Sequence, residues 1–172
     1  MSKMDTEINA HYWAQKLDLQ PHPEGGWYKE IFRDNLSVVP QVDGKTGAMY
    51  NAATGIYFLM DSTHFSAFHR IRFSEGWHFY DGTGICIYLL HANGRLETVT
   101  MGRDAEKGEV LQYWIQPNTW FASRVEKVGG YALCGCTVAP GFEFADFELA
   151  QKDQLLTQFP QHSIIIKQLT IQ

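Results

Sequence analysis

Residues 66–82 read SAFHRIRFSEGWHFYDG, and this stretch predicts a β-barrel with polar groups on its inside. Successive side chains of a strand point to opposite faces, so alternate residues of 65–71, including His69 and Ile71, are predicted to face the interior. Glu75 opens the next strand-like run, six residues after His69. Because a buried histidine and a buried carboxyl need partners or water, we expect a hydrated, ligand-accessible space around them.

The remainder of the chain has the period of β-strands. Turns rich in Gly, Asn and Pro separate short segments in which apolar and polar residues alternate. Many short strands with such turns between them predict an all-β sandwich, jelly roll or barrel. The predicted strands are residues 27–32, 53–60, 65–71, 77–80, 85–91, 96–101, 110–115, 120–125 and 131–138.

Short helices are predicted at both ends of the chain. Residues 5–18 carry apolar side chains at helical spacing, and Asp5 or Thr6 is suited to cap the start of that helix. Asp146–Gln158 predicts a second helix that covers the barrel and is capped by its first residue. The run Ile164–Ile166 predicts a terminal edge strand.

Length and composition predict one globular domain over residues 1–172, with the barrel core at about 17–148. The net charge is −5 without a cluster of Lys and Arg, so nucleic acid is not an expected partner. Apolar runs are too short to span a bilayer, and the first residues lack a signal-peptide stretch. We therefore expect no membrane association and a cytoplasmic location. Cys134 and Cys136 are predicted to pack in the core.

Five motifs of the chain form one pattern: PHPEGGWY at 21–28, HR at 69–70, EGWHFYDG at 75–82, CTVAPGF at 136–142 and DFE at 146–148. Together they resemble the fifth cupin family, long catalogued only as a domain of unknown function. The resemblance implies a jelly-roll fold, a tendency to dimerise and similarity to sugar-nucleotide epimerases that use the same barrel. With the helices, the expected fold is a cupin-type jelly-roll β-barrel with short N-terminal and C-terminal helices. Ser74 departs from the family, which usually has an Asp there.

The metal-binding pattern of cupins is incomplete in this chain. His69 and Glu75 match the first cupin motif, but Ile71 stands where that motif has its second His. Ala122 stands at the position of the second motif's His. Because a bound metal needs three or four converging N or O ligands, we expect no metal and no other cofactor. The alternative is an atypical metal site drawn from His69, Glu75 and His78.

Three residues are candidates for catalysis. His69 is the candidate general base, since histidine titrates near neutral pH, and Glu75 would orient it. The alternative is a purely structural pair of these two side chains. Tyr80 or another tyrosine of the pocket is the candidate acid. Tyr80 shares the parity of His78 and needs a β-bulge to reach the interior.

Further candidates for ligand binding lie in a turn and among the aromatic rings. His22 and Glu24 belong to a turn rich in Pro and Gly that is predicted to fold over the barrel mouth. Their side chains could instead satisfy only the local backbone. Rings that form the wall of a cavity are otherwise ordinary core residues. The predicted ring contacts to a ligand are Tyr28, Tyr57, Trp77, His78 and Trp120.

These observations predict a small-molecule-binding cupin. Its first candidate activity is metal-independent isomerisation or epimerisation of a carbohydrate-like ligand, which needs an acid and a base but no metal. Two alternatives stay open: a non-catalytic ligand-binding or storage-type module, and a metal-dependent cupin enzyme with an atypical site. We also expect a homodimer, because a jelly roll leaves edge strands that natural proteins cover or pair.

Overall fold

Two antiparallel β-sheets face each other in the computed structural model, which describes residues 8–42 and 45–171. The strands are β1 (Gln20–Pro21), β2 (Trp27–Arg33), β3 (Ser37–Val38), β4 (Gln41–Val42), β5 (Lys45–Thr46), β6 (Tyr50–Asn51), β7 (Thr54–Asp61), β8 (Phe65–Ile71), β9 (Glu75–Gly82), β10 (Ile85–Leu90), β11 (Leu96–Met101), β12 (Gln112–Ile115), β13 (Trp120–Arg124), β14 (Tyr131–Val138) and β15 (Phe147–Leu149). The helices are α1 (Ala10–Lys16), α2 (Lys152–Gln158) and α3 (Ser163–Gln168).

The strand order confirms the predicted all-β architecture. One sheet has six strands in the order β1-β2-β7-β14-β9-β12, and the other has five in the order β11-β10-β13-β8-β15. Two short ribbons, β3-β6 and β4-β5, lie beside them. Strands β8, β11 and β14 begin and end where the sequence alternation predicts, and the other predicted strands differ by one or two residues at an end.

The main hydrophobic core lies between the inner faces of the two sheets. Phe58 on β7 and Trp77 on β9 meet Ile87 on β10 and Phe121 on β13, all of them buried. Cys134 packs in the same cluster, as predicted for a small apolar residue. Each large side chain buried in this way stabilises the fold by about 1.5–3 kcal/mol.

A bulge in β8 changes the predicted alternation of that strand. His69 pairs with Phe121, whereas Ser66 pairs with Ser123, so β8 holds one more residue than β13 between these pairs. The extra residue reverses the parity of the strand before the bulge. Phe65 therefore packs with the terminal helices instead of facing the barrel interior.

The N-terminal helix begins later than predicted. Its cap is Asn9, whose side-chain oxygen accepts a hydrogen bond from the Tyr12 backbone N–H at 3.0 Å. The predicted caps, Asp5 and Thr6, lie outside the described residues. Within the described part of the chain, no helix is long and apolar enough to cross a bilayer.

The C-terminal predictions were wrong in two respects. Asp146 does not cap a helix, because Phe147–Leu149 pairs with β8 as an edge strand before α2 begins. Residues 164–166 lie in α3 rather than in a strand, since the free edge of β8 is already occupied. The helix leaves Ile164 75% exposed and buries Ile166 in a second cluster beneath the terminal helices.

Candidate functional site

A cavity of about 150 Å³ lies inside the barrel, between the two sheets. An internal void of this size holds a molecule such as benzene, so the cavity has room for one small ring. The lining residues are Gln20, His22, Glu24, Tyr28, Glu30, Arg33, Thr54, Ile56, Phe58, His69, Ile71, Glu75, Trp77, Cys136, Val138, Phe142, Glu143, Phe144 and Phe147.

The structure brings most of the predicted site residues together at this cavity. Those that line it are His22, Glu24, Tyr28, His69, Glu75 and Trp77. The described lining does not include the other four predicted residues, Tyr57, His78, Tyr80 and Trp120.

The outer face of the six-stranded sheet holds three of the four displaced residues. A register shift in the β9–β14 pairing falls at Tyr80, where the required bulge was expected. The bulge does not turn this ring inward: Tyr80 is 44% exposed and covers Gly135 on the outer face. Tyr57 packs edge-on against Tyr80, and His78 lies near Trp114 on the same face.

Trp120 belongs to the cluster beneath the terminal helices. Its outer side is covered by the Arg70 guanidinium, 4.3 Å from the ring centroid. Arg70 is itself paired with Glu148 at 2.7 Å. Trp120 and Arg70 are not among the residues that line the cavity. On β13 the side chain that faces the barrel interior is that of Phe121, next to Trp120.

The turn before β2 carries two polar side chains into the barrel. Gly25 has a φ of +114° and lies against the Phe65 carbonyl, where a Cβ atom has no room. The Ala67 backbone N–H donates to the Glu24 carbonyl at 2.8 Å and so fixes the turn to β8. This close approach places the Glu24 carboxyl beside His69.

The partner of His69 is Glu24, not Glu75 as predicted. His69 Nε2 lies 3.0 Å from Glu24 Oε2. His69 Nδ1 lies 2.7 Å from the Ala67 carbonyl oxygen, which can only accept, so Nδ1 carries a proton. The Ser66 hydroxyl donates to the other Glu24 oxygen at 2.7 Å. Both ring nitrogens of His69 are therefore already bonded within the protein.

The Glu24–His69 contact requires one shared proton, because Nε2 and a carboxylate oxygen would otherwise both be acceptors. Burial lowers the pKa of His69 to about 4 and raises that of Glu24. The pair therefore carries no net charge near neutral pH. His22 completes the network: its Nδ1 accepts the Glu24 backbone N–H at 3.3 Å, and burial lowers its pKa.

Glu75 begins β9 and lies on the cavity wall beside Trp77 and Cys136. Burial raises the pKa of its carboxyl to about 8, and the nearby Glu24 contributes in the same direction. Glu75 is therefore mostly protonated at pH 7. The Trp77 indole nitrogen is buried and has no hydrogen-bond partner in the described part of the chain.

An ion cluster that the sequence did not predict lies at the rim. The Arg33 side chain donates two hydrogen bonds to Glu30, one to Glu143, one to Asn51 and one to the Phe142 carbonyl. The pairing of β2 with β7 has a register shift after Glu30, so Glu30 and Arg33 do not follow the simple alternation of side chains along a strand. Glu30 has the same strand parity as Tyr28, which was a signal in the sequence that Glu30 lies on the same side of β2. Nothing in the sequence pointed to Glu143.

The motif at 136–142 also contributes more to the site than predicted. Cys136, Val138 and Phe142 line the cavity. Cys136 was predicted only as a packing residue, although it lies in a motif that supports the family resemblance.

The donor set of the cavity does not fit a cupin metal. Ile71 lines the cavity at one expected ligand position, and the Phe121 ring packs against the His69 ring at a tilt of 58° with centroids 4.1 Å apart. Ala122 packs beneath the terminal helices, away from the cavity. Over residues 8–42 and 45–171, no group of three or more His, Cys, Asp or Glu side chains is arranged to hold a metal ion.

A barrel of two antiparallel sheets around a small internal cavity is typical of the cupin class, and sequence comparison agrees. The chain belongs to the Cupin superfamily (DUF985), whose sequence profile matches residues 11–150. This confirms the resemblance and the jelly-roll fold expected from it.

Solved structures of relatives extend the comparison. A hypothetical protein from Leishmania major is 32% identical with a TM-score of 0.89, covering 96% of this chain and 100% of that one. Protein SO0799 from Shewanella oneidensis is 33% identical with a TM-score of 0.87, covering 96% and 99%. A cupin 2 conserved barrel domain protein from Rhodopseudomonas palustris shares the fold, with a TM-score of 0.54 at 18% identity over 98% and 86% of the two chains.

Proposed function

We propose that this protein binds a small carbohydrate-like molecule in the cavity and isomerises it by proton transfer without a metal. The observation that carries the proposal is Glu75, a carboxyl on the cavity wall whose pKa burial raises to about 8. Its ionised fraction is a much stronger base than an ordinary glutamate, with a pKa close to working pH. Glu75 therefore takes the role that the sequence assigned to His69.

The same wall offers a donor for a substrate oxygen. Trp77 is two residues after Glu75 on the inner face of β9, and its buried indole N–H lies close enough to the Glu75 carboxyl to favour its ionised form, yet makes no hydrogen bond of standard geometry among the described residues. A buried donor of this kind stabilises the charge that develops on a carbonyl oxygen when the neighbouring carbon loses its proton.

Isomerisation fits this arrangement better than epimerisation. An epimerase returns the proton to the opposite face of the carbon and needs a second acid–base group there. Tyr80, the predicted acid, lies outside the barrel, and His69 uses both ring nitrogens within the protein, so epimerisation would have to draw its second group from another lining residue such as Tyr28. One carboxyl can take the proton from C2 and return it to C1 on the same face, while the hydroxyl proton of the enediolate intermediate passes from the C2 oxygen to the C1 oxygen within the substrate, which completes aldose–ketose interconversion.

Deuterium incorporation tests this function. The protein is incubated in D₂O with aldopentoses, aldohexoses and their 3- and 6-amino-deoxy forms, and loss of the C2 proton signal is followed by NMR. We expect exchange with formation of the ketose, and a decrease of about 10²- to 10⁴-fold in Glu75→Gln. The matched control is Glu106→Gln, which changes an exposed carboxyl and should exchange like the wild type. No exchange with any sugar, or full activity of Glu75→Gln, contradicts the proposal.

A non-catalytic binding module is the second candidate. The observation in its favour is that His69 and Glu24 satisfy each other, an arrangement that also serves structure alone. This candidate expects a sugar that stabilises the protein against heat in a concentration-dependent way but exchanges no deuterium.

A further inference from the structure

We propose that the cavity selects ligands that carry a positive charge, such as an ammonium group, and excludes anions. The inference deepens the function proposed above and rests on it for the location of the ligand. It is carried by three features of the cavity: the Arg33 side chain, whose hydrogen bonds all go to protein acceptors, the aromatic walls, and the buried Glu75 carboxyl.

No cationic side chain at the cavity is available to an anion. Arg33 is the one Lys or Arg among the described lining residues. A guanidinium has five N–H donors, and all five of its hydrogen bonds go to protein acceptors. Glu30 and Glu143 together outweigh its charge, so the rim cluster carries a net charge of about −1. A carboxylate or phosphate would enter this cavity without a partner of opposite charge.

The walls of the cavity are suited to a cation. Aromatic rings attract a positive charge placed over their faces, and cages of such rings recognise quaternary ammonium groups. The rings on the wall are Tyr28, Phe58, Trp77, Phe142, Phe144 and Phe147. Three of these rings come from the six-stranded sheet, and the others come from β15 and the segment before it. The aromatic rings therefore approach the cavity from both sheets.

Glu75 is the group in the interior that gains a charge when a cation enters. The titratable groups that line the cavity with it are His22, Glu24, His69, Cys136 and Tyr28, together with Glu30, Arg33 and Glu143 of the rim cluster. The first three form the neutral hydrogen-bonded network, and burial raises the pKa of the Cys136 thiol well above its ordinary value. A positive charge nearby favours the carboxylate form of Glu75.

This coupling produces a measurable proton release. With a pKa of about 8, Glu75 holds about 0.9 of a proton at pH 7. Binding of a cation should release that proton, whereas binding of a neutral molecule should not. Affinity for the cation should therefore rise with pH until about pH 8 and then level off.

Three probes of similar shape and different charge test the inference: tetramethylammonium, tert-butanol and pivalate. Each is titrated into the wild-type protein by calorimetry at pH 7, in buffers of different ionisation enthalpy, which gives the number of protons released. The ¹³C shift of the Glu75 carboxyl reports its ionisation directly. We expect tetramethylammonium to bind at least about tenfold more tightly than either other probe and to release close to one proton.

Two variants separate the cavity from the protein surface. Glu75→Gln should abolish the proton release, and Glu106→Gln should retain it. Equal binding of tetramethylammonium and tert-butanol, tighter binding of pivalate, or no binding of tetramethylammonium overturns the inference. Deuterium exchange on neutral sugars without a preference for cations would support the proposed function and refute this inference. A preference for cations without deuterium exchange on any sugar would support this inference and contradict the proposed function.

Discussion

Replacing Glu75 with glutamine should change how folding stability depends on pH. A protonated carboxyl and an amide have nearly the same shape, so the substitution keeps the packing and removes the titration. The carboxyl has a pKa of about 8 in the folded protein and an ordinary value of 4.5 when unfolded. Between these pH values the folded state binds one more proton than the unfolded state, so stability falls as pH rises.

The size of the effect follows from the width of this window. One proton corresponds to about 1.4 kcal/mol per pH unit, so Glu75 alone removes about 5 kcal/mol by pH 8. His69 acts in the opposite direction, because its pKa is lowered from 6.5 to about 4 and stability rises with pH over that range. Glu24, whose pKa is also raised, acts in the same direction as Glu75, and His22, whose pKa is lowered, acts in the same direction as His69. The effect of Glu75 is therefore measured as the difference between the wild type and a Glu75 variant.

Urea denaturation of the wild type and of Glu75→Gln, at pH values from 5 to 9, measures the difference. The variant should gain stability relative to the wild type at every step up to about pH 8, with no further change above it. The comparison isolates Glu75 because the other titrating groups are present in both proteins. Parallel stability curves for the two proteins would refute the assignment of a neutral, buried carboxyl at this position.

Three further predictions concern the turn, the metal and the assembly. Gly25→Ala should lower the free energy of unfolding by on the order of 3 kcal/mol, because its φ is +114° and a Cβ would meet the Phe65 carbonyl. Gly129→Ala, also at positive φ but in open space, should cost about 1 kcal/mol in the same assay. Elemental analysis of protein purified without chelators should find well below one transition metal per chain, and a stoichiometric metal lost on His69→Ala would contradict this. Light scattering should show a homodimer. Trp114 is 42% exposed on the outer face of the six-stranded sheet, and Trp114→Lys should dissociate the dimer. A wild-type monomer at micromolar concentration would refute the prediction.

Local patterns in the sequence were sufficient for nine of the strands, β2 and β7–β14, and for the two polar residues inside the barrel. The alternation in 65–71 places His69 and Ile71 on the inner face, and Glu75 follows on the next strand. Such alternation depends only on the pleat of a single strand, so it can be read without knowing which strands are neighbours. The turn rich in Pro and Gly likewise predicted that His22 and Glu24 lie near the cavity.

The tertiary structure alone decided which groups meet. Glu24, rather than Glu75, bonds His69 because the turn before β2 is fixed against β8, a contact between residues far apart in sequence. The sequence parity of Tyr80 points outward, and whether a bulge turns it inward depends on the pairing of β9 with β14, where the register shift at Tyr80 leaves the ring outside. The raised pKa of Glu75 comes from burial by several strands together. Pairing, bulges and burial are properties of neighbouring segments, and a single strand's alternation carries no information about its neighbours.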